Sequence, residues 1–561
     1  MSNNLSAAQV LPQEILRPVI EYVANKSYFS LGTVAGDIDR MRNTLSVCSA
    51  WRQAALEFLW RKLDLFIDEN YSAIYENRAS WVDSYWMPGK TEYLVKELTI
   101  NVTWRSLFSG EAFEMLTKYM ADTPCLPNVL KLRLIVRDKA FSLYRIGDDP
   151  VTNGLEFIDL LKLIAPAASW VIFRRDWGEY EGEAPGEDIV YDDENGMRTL
   201  IRQLFRKAKY LALDLGRVCI THTSTIDSIP QLTALMMQDL TGLDVRTSLL
   251  HKTSSTLLDL QVGAIDPRLL ICDINGNYIV YPNLKILVID RFQMSITFEV
   301  PIPIVTPESI VPFPRLQSLA IHTSYTFADN VLFRGNSSTL QHLIMYIDEN
   351  IVTKLNECKA LENKHKALNC VVIGETGYNT DLSRVHESQL KEYFGNLLDT
   401  AHILKLGSQY VVRKLIRAMQ NGCELNFIQK LHVKDSSLSL YSIICLVKGL
   451  PTLEMISCGI YGLESEFERI PAEELPDHIA TTFENAGKNL HTWKLLNYAM
   501  YAFGNTAEYI VLLGLACPNL RRVMSRPCDA ARYNACIAET IQREPYNKYA
   551  AQLTHLHNVA Y

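Results

Sequence analysis

The sequence predicts an α/β fold built as a stack of repeats, with a curved parallel sheet inside, helices outside and a small helical module in front. Three observations predict it. The stretch from Pro282 to Asp290 reads Pro-Asn-Leu-Lys-Ile-Leu-Val-Ile-Asp. Leu284, Leu287 and Ile289 there fall at relative positions 1, 4 and 6, as suits a short strand leaving a tight turn with alternate side chains inward. That spacing returns along the chain, with segments of helical period between the copies. At 561 residues the chain is also too long for one compact core. One such strand cannot bury its own apolar face, so copies must stack before a continuous core exists.

The residues at the fourth position of the copies are Leu98, Leu132, Val171, Leu211, Leu235, Leu260, Leu287, Leu319, Leu343, Val371, Leu404, Leu431, Ile456, Trp493, Val523 and Leu556. These sixteen copies stand about 30 residues apart. Between them, Glu111 to Met120, Leu155 to Ile164, Thr199 to Phe205, Val411 to Met419 and Tyr441 to Val447 carry apolar residues at helical spacing. Strand and helix thus alternate, which predicts a parallel sheet with right-handed crossovers. Pro230-Gln231-Leu232, Pro282-Asn283-Leu284, Pro314-Arg315-Leu316 and Pro518-Asn519-Leu520 each precede a strand. In this recurrence the chain resembles the leucine-rich-repeat family. It departs from the family at one point: the asparagine that many members place five residues after the fourth position is absent from every copy. The turns must be satisfied differently.

The front, Leu11 to Leu65, has helical periodicity instead. Pro12 suits a first helical turn, and Ile15, Leu16, Val19, Ile20 and Val23 form an apolar stripe. Further on come Val47-Cys48-Ser49-Ala50-Trp51-Arg52 and a Leu59-Trp60 ending. The Leu-Pro opening, the Val-Cys-x-x-Trp-Arg centre and the Leu-Trp close resemble an F-box of fungal type. The resemblance implies a three-helix module that docks a Skp-type adaptor and so joins a cullin-based ubiquitin ligase. Carried onto matching positions, the adaptor contacts are Leu11, Pro12, Ile15, Leu16, Val47, Cys48 and Trp51. The stretch from Val23 to Leu45 is longer than the family's usual connection. The alternative is that Trp51 and Trp60 are core residues of a helical cap over the first repeat. The expected organisation is a front module at 1–66, a connection at 67–93 and an irregular solenoid of about 16 repeats at 94–561.

Composition excludes several classes. With 48% apolar and 21% charged residues the chain has ample core material and is not disordered as a whole. A net charge of -8 argues against nonspecific nucleic-acid binding. Met1 to Val10 lacks the pattern of a secretory leader, and Tyr509 to Cys517 is too short to span a bilayer. The twelve cysteines form no Cys-x-x-Cys pair, which points to buried thiols in a reducing compartment, cytoplasmic or nuclear. Asp176 to Glu194 reads as a solvated acidic loop, and Phe298 to Pro314, with five prolines, as an extended connection.

Catalytic signatures fail at identifiable positions. Gly89-Lys90-Thr91 lacks the first glycine of a phosphate loop, because Ser84 stands there. His386-Glu387 is followed by Leu390 where a zinc protease needs histidine. His555 and His557 flank Leu556 with no third ligand for a metal. No cofactor is implied, and an enzyme with a site between helices and sheet has no motif in its favour.

The surface best able to recognise a partner is the sheet face formed by residues alternating with the inward set. Its early and middle copies present Trp170, Tyr210, Met236, Ile286, Val288, His322, Ile344 and Tyr346, a composition suited to a protein interface. Toward the carboxyl end it becomes basic through Lys405, Lys430, His432, Lys434, Lys494, Arg522 and Arg526, which suits an acidic or phosphorylated target segment. A plain solvated charged face is the alternative. The two resemblances together imply a non-catalytic substrate receptor of a Skp–cullin–F-box ubiquitin ligase. The rival is a scaffold or inhibitor with a merely capped solenoid.

Overall fold

The computed structural model describes residues 16, 49–68, 73–76, 91–121, 125–138, 150–177, 204, 208–214, 231–237, 243–263, 270–272, 277–289, 310–321, 338–347, 367–375, 401–407, 409–422, 424–463, 465–496, 503–524 and 530–556. The chain divides into two units, Met1–Leu257 and Leu258–Tyr561.

In the first unit, helix α1 (Ser49–Leu59) leads into strands β1 (Lys62–Asp68), β2 (Ala73–Glu76), β3 (Glu97–Thr103), β4 (Lys131–Asp138), β5 (Trp170–Trp177), β6 (Tyr210–Asp214) and β7 (Ala234–Met237). β2 folds back antiparallel on β1. β1 also pairs in parallel with β3, and each later strand adds in parallel to the one before it. Leu63, Leu98, Leu132, Val171, Leu211 and Leu235 stand opposite one another strand by strand, each at most 3% exposed. Burying a leucine so completely contributes about 1.5–3 kcal/mol, and only a continuous column permits it.

The crossovers are helical, as their periodicity predicts. Thr103 ends β3 and caps α2 (Trp104–Ser109), its hydroxyl accepting from the Ser106 amide at 3.1 Å. Gly110, at φ 86°, then turns the chain into α3 (Glu111–Tyr119), a left-handed conformation that glycine adopts without steric cost. Helix α4 (Pro150–Ile164) opens on proline and lays Phe157, Leu161 and Ile164 on the sheet side, all at most 1% exposed. Of the segment expected at Thr199 to Phe205, Leu204 is helical and buried, and the rest lies outside the described residues.

In the second unit the strands are β8 (Asp259–Val262), β9 (Ile286–Ile289), β10 (Ser318–Ile321), β11 (His342–Ile347), β12 (Cys370–Glu375), β13 (Ile403–Leu406), β14 (Lys430–Ser439), β15 (Met455–Gly462), β16 (Thr492–Leu495) and β17 (Arg522–Met524). They pair in parallel in chain order. Their column runs Leu260, Leu287, Leu319, Leu343, Val371, Leu404, Leu431, Ile456, Trp493 and Val523, all 0% exposed. Trp493, the largest of these, also donates its indole N–H to the Cys458 carbonyl at 3.3 Å. Helices α5 (Leu243–Thr253, in the first unit), α6 (Gln409–Gln420) and α7 (Leu440–Gly449) fall between strands. So do α8 (Leu475–Thr482) and α9 (Phe503–Ala516), while α10 (Ala530–Gln542) follows the last strand.

In five copies the missing family asparagine has a substitute one residue before the first apolar position of the copy. The side chains of Asn128, Asn489 and Asn519 donate to the carbonyls of Tyr93, Pro451 and Lys488 in the preceding copy, at 2.8, 2.8 and 2.6 Å. Thr256 and Thr452 occupy the same place and donate to Leu232 and Ile428 at 2.7 and 3.0 Å. Each bond satisfies a turn carbonyl and ties adjacent copies together, for about 0.5–1.5 kcal/mol.

Two expectations need correction. The sheet starts in Lys62–Asp68, before residue 94 and inside the stretch given to the front module. Leu63, Leu65 and Ile67 are buried and alternate with the exposed or partly exposed Lys62, Asp64 and Phe66, which is strand period, and β2 lies within the supposed connection. At the other end Leu556 is not a strand residue. It belongs to a 3₁₀ turn, Gln552–Leu556, whose Leu553 and Leu556 are three residues apart and both 0% exposed. A Cβ on Gly514 of α9 would lie 2.6 Å from Leu556 Cδ1, so Leu556 packs closely against α9. His555 consequently flanks no strand. Its Nδ1 faces the Gln552 carbonyl at 2.9 Å, while His557 lies outside the described residues.

Candidate functional site

Pleating sends the residues on either side of each buried column to the opposite sheet face, and the register sets which of them become neighbours. In the first unit one row reads Lys62, Glu97, Lys131, Trp170 and Tyr210. The next reads Asp64, Thr99, Arg133, Ile172, Ala212 and Met236. Glu97 lies 3.8 Å from both the Lys62 and the Lys131 ammonium. The Lys131 ammonium also sits 5.7 Å from the Trp170 ring, which stacks on Tyr210 at 4.4 Å and 12°. Burial lowers the Lys131 pKa, with Glu97 opposing and Arg133 and Lys62 assisting that shift. Trp170 is nonetheless 46% exposed, a large aromatic offered to solvent over a rigid sheet.

In the second unit the early strands present Asp259, Ile286, Ser318, His342 and Cys370 in one row. Gln261, Val288, Ala320, Ile344 and Val372 form the next. Ile286 is 40% exposed, and burial pushes the Asp259 carboxyl above its ordinary range. From β13 to β17 the rows become Ile403, Lys430, Met455, Thr492 and Arg522, and Lys405, His432, Ser457, Lys494 and Met524. Neither row contains a carboxylate. Lys405, Lys430 and Lys494 carry no ion pair among the described residues. Burial lowers the pKa of His432, and the charges of Lys405, Lys494 and Lys430 lower it further. Burial raises that of the Cys370 thiol, against the nearby Lys405.

The structure thus gathers Lys405, Lys430, Lys494 and Arg522 on one face and puts Ile286 and Val288 together earlier in the same unit. Tyr210 and Met236 belong to the first unit. Lys434 is exposed on β14, and the β11 backbone at Tyr346 pairs with Gly374, while His322 and Arg526 lie outside the described residues. Lys131, Arg133 and Glu97 escaped the sequence reading. They occupy the same offsets, one residue before or after the fourth position, so applying the offset to every copy would have found them.

Of the candidate adaptor contacts, Leu16 is 0% exposed and Trp51 is partly exposed on α1. Leu11, Pro12, Ile15, Val47 and Cys48 lie outside the described residues. Ala54, Ala55 and Leu56 of α1 are buried, as is Trp60.

Among the described residues no three His, Cys, Asp or Glu side chains come together as a metal site. No described helix is long and apolar enough to cross a membrane. The seven described cysteines are free thiols. Cys458 is fully buried, which pushes its thiol up to about 12, as expected for a small apolar core residue.

No family model matches the chain, and no curated protein matches it. Among solved structures it is similar to the leucine-rich repeat-containing protein LegL7 from Legionella pneumophila, at 10% identity, covering 79% of this chain and 98% of that one with a TM-score of 0.26. It is also similar to the yeast complex of Rad7 and Elc1, at 11% identity, covering 86% and 88% with a TM-score of 0.30. A protein from Bacteroides fragilis aligns at 10% identity over 75% and 79%, with a TM-score of 0.19. The strand registers themselves carry the fold: parallel strands in chain order, one buried column per unit and helical crossovers make it a leucine-rich-repeat α/β solenoid.

Proposed function

We propose that this chain is a non-catalytic substrate receptor of a Skp–cullin–F-box ubiquitin ligase, working in the cytoplasm or nucleus. The exposed sheet face binds a target protein, and the front helical module docks a Skp-type adaptor. The observation that carries the target-binding half is the group of unneutralised lysines Lys405, Lys430 and Lys494 beside exposed Met524, with exposed Ile286 earlier in the same unit, on a sheet whose other side buries its apolar column. Exposed apolar and cationic groups held by a rigid sheet suit protein recognition. Coupling to the adaptor is supported by the chain path: α1 carries the partly exposed Trp51 and, through buried Trp60, runs directly into β1. A target held on the strands is thereby tethered to the adaptor by one chain, so the receptor contributes proximity rather than bond chemistry.

A second reading is favoured by Leu16, whose complete burial leaves it nothing to offer an adaptor in the free chain. On that reading the front helices only cap the solenoid of a scaffold or inhibitor protein. Copurification with a Skp-type adaptor separates the two. Substitution of Leu11, Pro12 and Trp51 should abolish capture while the circular dichroism of the repeats stays unchanged; persistent capture eliminates these residues as the contact.

A further inference from the structure

The cations of β13 to β16 are spread over the sheet rather than converging on a point. Lys405 and Lys494 hold equivalent register positions three strand steps apart, and at about 4.8 Å a step that separation is about 14 Å. Between them lie His432 and the small, 2% exposed Ser457, which forms a low floor. An extended peptide advances about 3.4 Å per residue and sends alternate side chains to one side, so its residues i and i+4 are also about 14 Å apart. Lys430, in the adjacent row on β14, adds a third positive charge within that span, one strand step from Lys405 and two from Lys494. The carboxylate at this margin, Glu454, faces His491 at 3.8 Å.

Resting on the reading of this face as the target-binding surface, we infer that it receives an extended acidic segment of the partner protein, with Asp or Glu at alternate positions, laid across β13 to β16 so that its outer carboxylates meet Lys405 and Lys494. A phosphate-binding pocket would draw its donors together around one group, with the forked geometry of arginine or a cluster of backbone N–H groups. Three separated lysine point charges fit three separated carboxylates better. A bound carboxylate opposite His432 would also offset the positive field that now depresses its protonation.

The test uses the full chain and a fluorescent peptide with three glutamates at alternate positions in a Gly/Ser background. Its binding is read by anisotropy at about 50 mM salt, where exposed charges are weakly screened. Binding should fall at least about tenfold in the Lys405→Glu, Lys494→Glu double variant and stay within about twofold in Lys405→Arg, Lys494→Arg. Saturating peptide should move the His432 ring titration upward. Unchanged affinity in the Glu variant overturns the inference. So does tighter binding, through the same two lysines, of a singly phosphorylated peptide or of single-stranded RNA. Adaptor capture, measured on the same variants, should be unaffected. Its loss in the Leu11, Pro12 and Trp51 variants counts on the ligase reading alone, and loss of peptide binding counts on this inference alone.

Discussion

The sheet faces of β1–β6 and β13–β16 are built on the same register and differ in electrostatics, one mixed in charge and one positive. In the first, Glu97 stands between Lys62 and Lys131, and a stacked Trp170–Tyr210 pair takes the remaining side of Lys131. In the second, Lys405, Lys430 and Lys494 surround His432 with no carboxylate in either row. The buried columns behind the two faces are interchangeable in kind, leucine or another large apolar residue at the same offset. The difference teaches that the repeat dictates where side chains go and leaves open what they recognise.

The largest expected effect probes what the two regions share. Trp493→Ala should destabilise by about 3–5 kcal/mol and Leu132→Ala by about 2–5 kcal/mol, each measured as a lowered denaturant midpoint. A negligible effect at either site would mean that its column does not support the fold. Next come the bonds between copies. Asn128→Ala in the first unit and Asn519→Ala in the second should each cost about 0.5–1.5 kcal/mol, and equal losses would establish one device in both units.

Glu97→Gln would make the first face resemble the second. Its stability should change by about 0.2–1 kcal/mol, as for other partly exposed pairs. The sharper readout is the acidic peptide, which should begin to bind near Lys131 and be lost again in Glu97→Gln, Lys131→Glu.

The smallest effect is a pH dependence. His432 has a folded-state pKa below its ordinary value of 6.5, through burial first and the three lysines second. Its contribution is therefore fully present above that value. It declines as pH falls below 6.5, where the unfolded chain takes up the proton first, and levels off once the folded ring is protonated. Lys405→Glu should raise the pKa in an NMR titration of the histidine ring and flatten the decline. The corresponding titration of the first unit's face should contain no such step, because its rows hold no histidine.

Much of the fold was legible because a strand that must bury alternate residues repeats its apolar spacing in any surroundings. The positions from Leu98 to Leu235 fall in one register column in the first unit, and those from Leu260 to Val523 in the other. The ends were less legible. Leu63 follows a helix closely enough for its alternation to be read as helical, and Leu556 has apolar spacing that also serves a 3₁₀ turn. On the exposed face of β13–β17, Lys405, Lys430, Lys494 and Arg522 were found by offset. The neutralisation of Lys131 by Glu97 was not, since it joins side chains on separate strands.

The amino-acid sequence alone determined the strand-and-helix repeat, the buried column and which residues alternate away from it, because these follow from local period and the need to bury apolar surface. Tertiary structure decided which side chains from distant copies stand side by side. It decided that asparagines and threonines before five of the copies hold the preceding turn, that Leu556 packs against a helix, and that among the described residues Lys131 is paired on one face while Lys405, Lys430 and Lys494 are unpaired on the other. Hydrogen bonds and charge pairing depend on separations of a few ångströms, and only the register between strands sets those.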